Sequence, residues 1–375
     1  MTDGKGRLSC TWAKAIMFLL LTITGVILIW MFAPIGKGLS RIIPDFADNE
    51  TSSVSVPTQT PSIGSGEQNV LLVGPTYEFN TCNIDGGGRC CNGLDNICDL
   101  RVNEIMLATV HNAMSHGQEK FLGQVLNNNY RPLEDALEAG FRGLTLDLCI
   151  CNGIFQFCHG TCSGSRDAEE VLSSIEQFLR TNPSEVLMLI FQINSNVLTG
   201  SPTLTDLETA VQKVGLGDYI YVHPNVDTEW PTLGTLVENN NRLLIFHHEG
   251  PTCTNPGDCP DGFHYYFQYA MDTSFTFESI SEINNSTLFC SITRGGGGKR
   301  QFLGINLFIN PPNPDAAEVM SEKEYVGSRI SECSSIRKKN PNMLIVDFWS
   351  LGDLPEVTQN HNRALGTTLR RNSLR

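Results

Sequence analysis

Two histidines and an aspartate stand where a barrel enzyme places its reacting groups. His111 closes the segment Thr109-Val110-His111-Asn112, His159 lies in Phe157-Cys158-His159-Gly160, and Asp147 ends the apolar run that starts at Gly143. Imidazole has an ordinary pKa of about 6.5, so it can take and give protons near neutrality. Two imidazoles across one pocket suit displacement at phosphorus: one deprotonates the attacking hydroxyl, the other protonates the leaving oxygen. Asp147 could orient an imidazole or hold a cation, while Asn112 and Arg142 could position a phosphate. Spacing alone does not decide this, because a single strand-end histidine is more often a structural hydrogen-bonder. Further candidates are His247-His248, of which only one can face a pocket, and the stretch from Arg294 to Arg300. That stretch lacks the Gly-Lys-Ser/Thr of a nucleotide loop and reads as a basic loop near a phosphate or as a linker.

Positioning these groups requires strands that end together. Near-continuous apolar runs occur at 104–110, 143–150, 185–193, 242–248, 302–309 and 343–349, with a weaker one at 265–271. Such runs suit parallel strands covered on both faces. Amphipathic helical segments lie between them at 167–180, 205–214 and 315–339. The alternation predicts an α/β fold, a (β/α)₈ TIM-type barrel over 100–365, with reactive groups at the C-terminal strand ends.

Ahead of the barrel, residues 15–36 form an uncharged apolar stretch about 33 Å long if helical, enough for a bilayer core. The expectation is a transmembrane signal anchor at 15–36, after a cytosolic tail at 1–14 and before a flexible Ser/Thr/Pro/Gly-rich, disordered stalk at 37–76. A Cys-rich collar follows at 77–99, and 366–375 reads as a C-terminal tail. Twelve of the 13 cysteines follow the apolar stretch, which suits disulfides in an oxidising compartment. Glycosylation sequons at Asn49, Asn284 and Asn285 agree. The chain is therefore expected to be a single-pass membrane protein, anchored by its N-terminal helix, with the catalytic domain luminal or extracellular. A net charge of −14 argues against nucleic acid as a partner.

The ordered set Cys91-Asn-Gly, Cys98-Asp, Ala108-Thr-Val-His-Asn-Ala-Met-Ser115, Gly140-Phe-Arg-Gly-Leu-Thr-Leu-Asp147, Cys158-His-Gly160 and Asn342-Met-Leu-Ile-Val-Asp-Phe-Trp-Ser-Leu-Gly-Asp353 resembles the PLC-like phosphodiesterases, relatives of the X domain of phosphatidylinositol-specific phospholipase C. The resemblance implies a distorted barrel, with His111 and His159 as general base and general acid on a phosphoinositide or related phospholipid phosphodiester. It also implies that Asn112 contacts the phosphate or a Ca²⁺ ion. Calcium-dependent relatives carry acids where this chain has Thr145 and, at the third strand's end, Gln192, so Asp147 with Asn112 would hold calcium weakly. These departures motivate the alternative of a catalytically inactive barrel that binds a phosphate or lipid head group.

Overall fold

Leu107–Val110 (β1) is wholly buried, and the ladders on its two sides are both parallel. The computed structural model describes Phe79 and residues 89–373, apart from 118–119, 122–123, 126, 160, 195–199, 249–258 and 298–299. Beside β1 runs Gly143–Cys151 (β2), which folds back antiparallel through Ile154–His159 (β3) to Thr161–Asp167 (β4). The remaining strands are Leu187–Ile193 (β5), Leu243–His247 (β6), Phe263–Tyr265 (β7), Ala270–Thr273 (β8), Ile292–Arg294 (β9), Phe302–Leu307 (β10) and Met343–Val346 (β11). The main ladder runs β9-β8-β10-β11-β1-β2-β5-β6-β7. Every pairing along it is parallel except β8 with β9. Eight parallel strands thus form an α/β barrel whose sheet stays open between β7 and the β8–β9 pair.

Helices cover the outside for local reasons. Ala168–Thr181 (α1) starts at Asp167, whose side chain accepts the Glu170 N–H, and it buries Val171, Leu172, Ile175, Phe178 and Leu179. Leu204–Lys213 (α2) opens on a capping box made by Thr203 and Asp206.

Several expected boundaries change. The run at 265–271 divides into β7 and β8 around a helical turn, Tyr266–Tyr269. The helix expected over 315–339 is two, Pro314–Met320 and Lys323–Arg337. The tail expected at 366–375 is instead the end of a helix, Leu354–Ser373 (α3). This helix docks on the segment after the collar's start: Asn96 donates to the Arg363 carbonyl at 2.8 Å, and a Cβ at Gly366 would sit 2.2 Å from the Asn96 carbonyl oxygen. A side chain there would push the helix off, so the glycine marks a close approach rather than a loose end.

All ten described cysteines are disulfide-bonded. Cys91–Cys98 closes a short loop, Cys290–Cys333 ties two helical segments, and Cys149–Cys158 with Cys151–Cys162 staple β2, β3 and β4 together. The sulfurs of Cys149, Cys151 and Cys158 lie near one another, but they are spent in these bonds rather than offered to a metal. The expected anchor at 15–36, the stalk and Asn49 lie outside the described residues. Among the described residues no helix is long and apolar enough to cross a membrane.

Candidate active site

The register between β1 and β11 creates the first contact of the site. Val110 pairs with Val346, so His111 and Asp347, each the next residue along, leave the sheet side by side. His111 Nδ1 lies 2.8 Å from Asp347 Oδ1, with the carboxylate buried and the imidazole one-fifth exposed. The ring stacks on Phe308 at 3.9 Å between centroids. Fully buried Asn128 braces the pair, donating to Asp347 Oδ1 at 2.9 Å and accepting from Asn112 Nδ2 at 3.2 Å. Asn112 takes a left-handed backbone with φ of 42°, which asparagine tolerates, and its N–H donates to Thr145 Oγ1 at 2.9 Å. Asn129 donates to the carbonyls of His111 and Asn112 at 2.9 and 3.2 Å, holding the turn in this shape.

Asp147 leaves β2 into the same pocket. Asn194 donates to its Oδ2 at 3.0 Å. Burial pushes the carboxyl up to about 6, against the Asn194 hydrogen bond and the nearby His111 charge, which pull it down. His159 ends β3 and is half-buried; it is not among the residues that line the pocket, and its charged neighbours are His111 and Asp347. Burial lowers its pKa most; a charge on His111 lowers it further, while Asp347 raises it. The disulfides Cys149–Cys158 and Cys151–Cys162 hold the hairpin that carries it.

A pocket of about 50 Å³ opens between these strand ends, lined by His111, Asn112, Thr145, Asp147, Gln192 and Phe308 and also by Tyr266, Asp272, Phe275 and Arg294. His248 also reaches it, stacking on Phe267 at 5.0 Å, while its neighbour His247 is wholly buried. Burial first, then the charges of Arg294 and His247, hold His248 well below the usual imidazole range, so it is neutral.

Arg142 does not join this set, which corrects its expected phosphate-positioning role. It precedes β2 at the opposite end of the barrel, where Nε donates to Glu185 at 2.6 Å and Nη1 donates to the Leu137 and Phe141 carbonyls. Its Nε and Nη1 donors are thus spent inside the protein. Asn284 and Asn285 lie far along the chain on exposed helix ends; Asn284 accepts from Tyr325, and Asn285 caps the following turn. The residues that sequence reasoning missed are Asp347, Asn128, Asp272 and Tyr266. Asp347 had a usable signal, since it follows an apolar strand just as His111 does. Asn128 sits in irregular chain and had none.

Calcium takes six to eight oxygens, several of them anionic. Here one carboxylate, raised by burial, faces a threonine hydroxyl already accepting from Asn112 and a glutamine. The second carboxylate in the pocket, Asp272, is bonded to Arg294 and Tyr266. This donor set does not fit calcium.

Fold and site together define a barrel of the phospholipase C-like class. Residues 97–362 match the family model described as PI-PLC X 1, and the chain belongs to that family. It is 24% identical over 291 residues to PI-PLC X domain-containing protein 1 of Arthroderma benhamiae, an alignment covering 72% of this chain and 89% of that protein. An uncharacterised secreted protein of the same organism is also 24% identical, covering 71% of this chain and 61% of its own length. Among solved structures, phosphatidylinositol-specific phospholipase C from Listeria monocytogenes superposes with a TM-score of 0.52 at 17% identity, over 72% of this chain and 97% of that one. At that identity the likeness speaks for the fold. The secreted relative overturns the expectation of a single-pass membrane protein.

Proposed function

We propose that the chain is a phosphodiesterase that cleaves a phosphoinositide or related phosphodiester by intramolecular attack. His111 takes the proton of a substrate hydroxyl adjacent to the phosphate. That oxygen attacks phosphorus, a cyclic phosphodiester forms, and the bond to the leaving alcohol oxygen breaks as His159 protonates it. Atoms balance without water in this step. The observation that carries the reading is the His111–Asp347 contact of 2.8 Å at the mouth of a pocket shared with Asp147. A buried carboxylate at Nδ1 orients the ring, leaves Nε2 for the substrate, and stabilises the imidazolium that proton uptake creates. Asn112 and Asp147 position the phosphate or its attacking hydroxyl.

The test is turnover of phosphatidylinositol and soluble phosphodiesters by the purified chain, with product analysed for the cyclic phosphate. Release of a cyclic product, lost in both His111→Ala and His159→Ala, is the expected result. Thermal protection by the same compounds with no product would replace this reading with that of a binding barrel, which the missing acids at Thr145 and Gln192 favour.

A further inference from the structure

The pocket that His111 lines also carries a cation that the mechanism above does not use. Arg294 ends β9, the antiparallel strand at the open edge of the barrel, and lines the pocket with His111 and Asp147. It is the one permanent cation among the described residues lining that pocket. Asp272 Oδ2 takes a single N–H from its Nη2 at 2.8 Å, and Asp272 Oδ1 takes the Tyr266 hydroxyl at 2.7 Å. The guanidinium lies over the Phe275 ring at 4.2 Å and the Phe267 ring at 5.2 Å. Its Nε is buried with no hydrogen-bond partner among the described residues. A guanidinium has five N–H donors in a fixed fork. One is spoken for by Asp272, and Nε is without a partner among the described residues.

The surroundings are shaped to hold this group still. A Cβ at Gly304 on β10 would fall 2.4 Å from Asp272 Oδ1 and 2.9 Å from the Tyr266 hydroxyl, so only a bare glycine leaves room for that hydrogen bond. Directly after Arg294, Gly295 turns the chain with φ of +68°, and a Cβ there would meet the Ala270 carbonyl oxygen at 2.2 Å. A buried ion pair is poor value as stability alone, because desolvation offsets much of its attraction. A pair whose arginine faces a pocket with a donor to spare fits anion recognition instead.

We propose that Arg294 grips the nonbridging oxygens of a substrate phosphate, with Asp272 and Tyr266 as positioning residues that aim its fork. The proposal rests on the phosphodiesterase reading for its chemistry, since negative charge builds on those oxygens as the hydroxyl attacks. The phosphate is either the scissile diester or a separate monoester on the head group.

Inorganic phosphate serves as a probe that needs no turnover. Phosphate should raise the melting temperature of the full chain and of His111→Ala, but not of Arg294→Gln. Where the scissile phosphate is the one gripped, Arg294→Gln should lose about 100-fold in kcat/KM on a soluble diester bearing one phosphate, and free guanidinium ion should restore part of the activity of Arg294→Ala. An equal loss on single- and multiply phosphorylated substrates assigns the scissile phosphate; a loss confined to the latter assigns the head group. Arg294→Lys keeps the charge and loses the fork, so it folds where glutamine fails to, with at least a tenfold loss expected. A folded Arg294→Gln that keeps wild-type protection and turnover overturns the proposal, as does wild-type protein indifferent to phosphate. Arg294-dependent protection in a chain without turnover would sink the catalytic reading and leave this one standing.

Discussion

Two pairs of histidines occupy this fold under opposite conditions. His111 lines the pocket and His159 ends β3; both are partly exposed, and the Asp347 carboxylate acts on both. His223 and His264 are sealed in an aromatic cluster, where the His223 ring stacks on Trp230 at 3.8 Å and 3° between planes. His264 Nε2 lies 3.3 Å from the His223 backbone nitrogen and 3.4 Å from the Tyr221 carbonyl oxygen, so it is enclosed by main chain. Burial, chiefly, holds both of these imidazoles down to about 4. On the proposed reading, a carboxylate partner and access to solvent are what would make a histidine an acid–base group. Without them it is one more aromatic ring.

The largest effect that would sharpen this contrast is loss of turnover on removing the pocket base. His111→Ala should lower kcat by about 10³-fold or more while leaving the melting temperature little changed, measured on the same preparation. Activity indifferent to this change would erase the distinction between the pairs. Trp230→Ala should do the reverse. Trp230 is about 1% exposed beneath His223, so its truncation should cost about 3–5 kcal/mol in denaturant unfolding with kcat unaltered in the folded fraction.

Asp347→Asn probes the link between the two conditions. The amide keeps the shape of the Asn128 contact but removes the charge that favours an imidazolium, so kcat should fall by roughly 100-fold, or about 2.7 kcal/mol. The pH profile carries a second signature. Burial lowers His159, so its protonated form is lost at a lower pH than for a free imidazole. The alkaline limb of kcat/KM therefore lies on the acid side of an ordinary histidine limb. An anionic phosphodiester bound beside His159 raises it again, and the kcat limb should lie at higher pH than the kcat/KM limb. Coincident limbs would argue against His159 as the acid.

The contrast also explains what could be read from residues alone. Strand ends were legible because β1, β2, β5, β6, β10 and β11 are near-continuous apolar runs, and that periodicity survives without any structure. The runs put His111 and Asp147 at one end of the barrel, and Arg142, just before a run, at the other. Its role was misread because a cation beside a strand says nothing about which end it serves until strand direction is applied. Asp347 was quoted in a motif without a role, since its meaning depends on the register of β11 against β1, a contact between residues 236 positions apart. Asp272 and Tyr266 lie where a short helical turn splits β7 from β8, and no periodicity marks such an irregular join. The Arg294 loop was noticed, but its face toward the pocket comes from an antiparallel strand that three residues cannot announce.

A further effect concerns Asp147, which belongs to neither pair yet is tuned by the same burial. Its folded pKa of about 6 lies above the ordinary value of 3.8. A carboxyl raised in this way stabilises the fold while protonated. That contribution is complete below the ordinary value and is lost as pH rises through about 6. At pH 7.5 the ionised side chain then costs on the order of 3 kcal/mol, and at pH 4.5 about 1 kcal/mol. Asp147→Asn removes the titration, so the variant should be more stable than wild type by about those amounts, with the gap widening as pH rises. Turnover should fall in the same variant if the ionised carboxylate positions the substrate. Denaturant melts at the two pH values check the first point, and kcat/KM at pH 7.5 the second. A gap that does not grow with pH would mean that Asp147 ionises without cost, and a buried charge retained for function would no longer be the reason it is there.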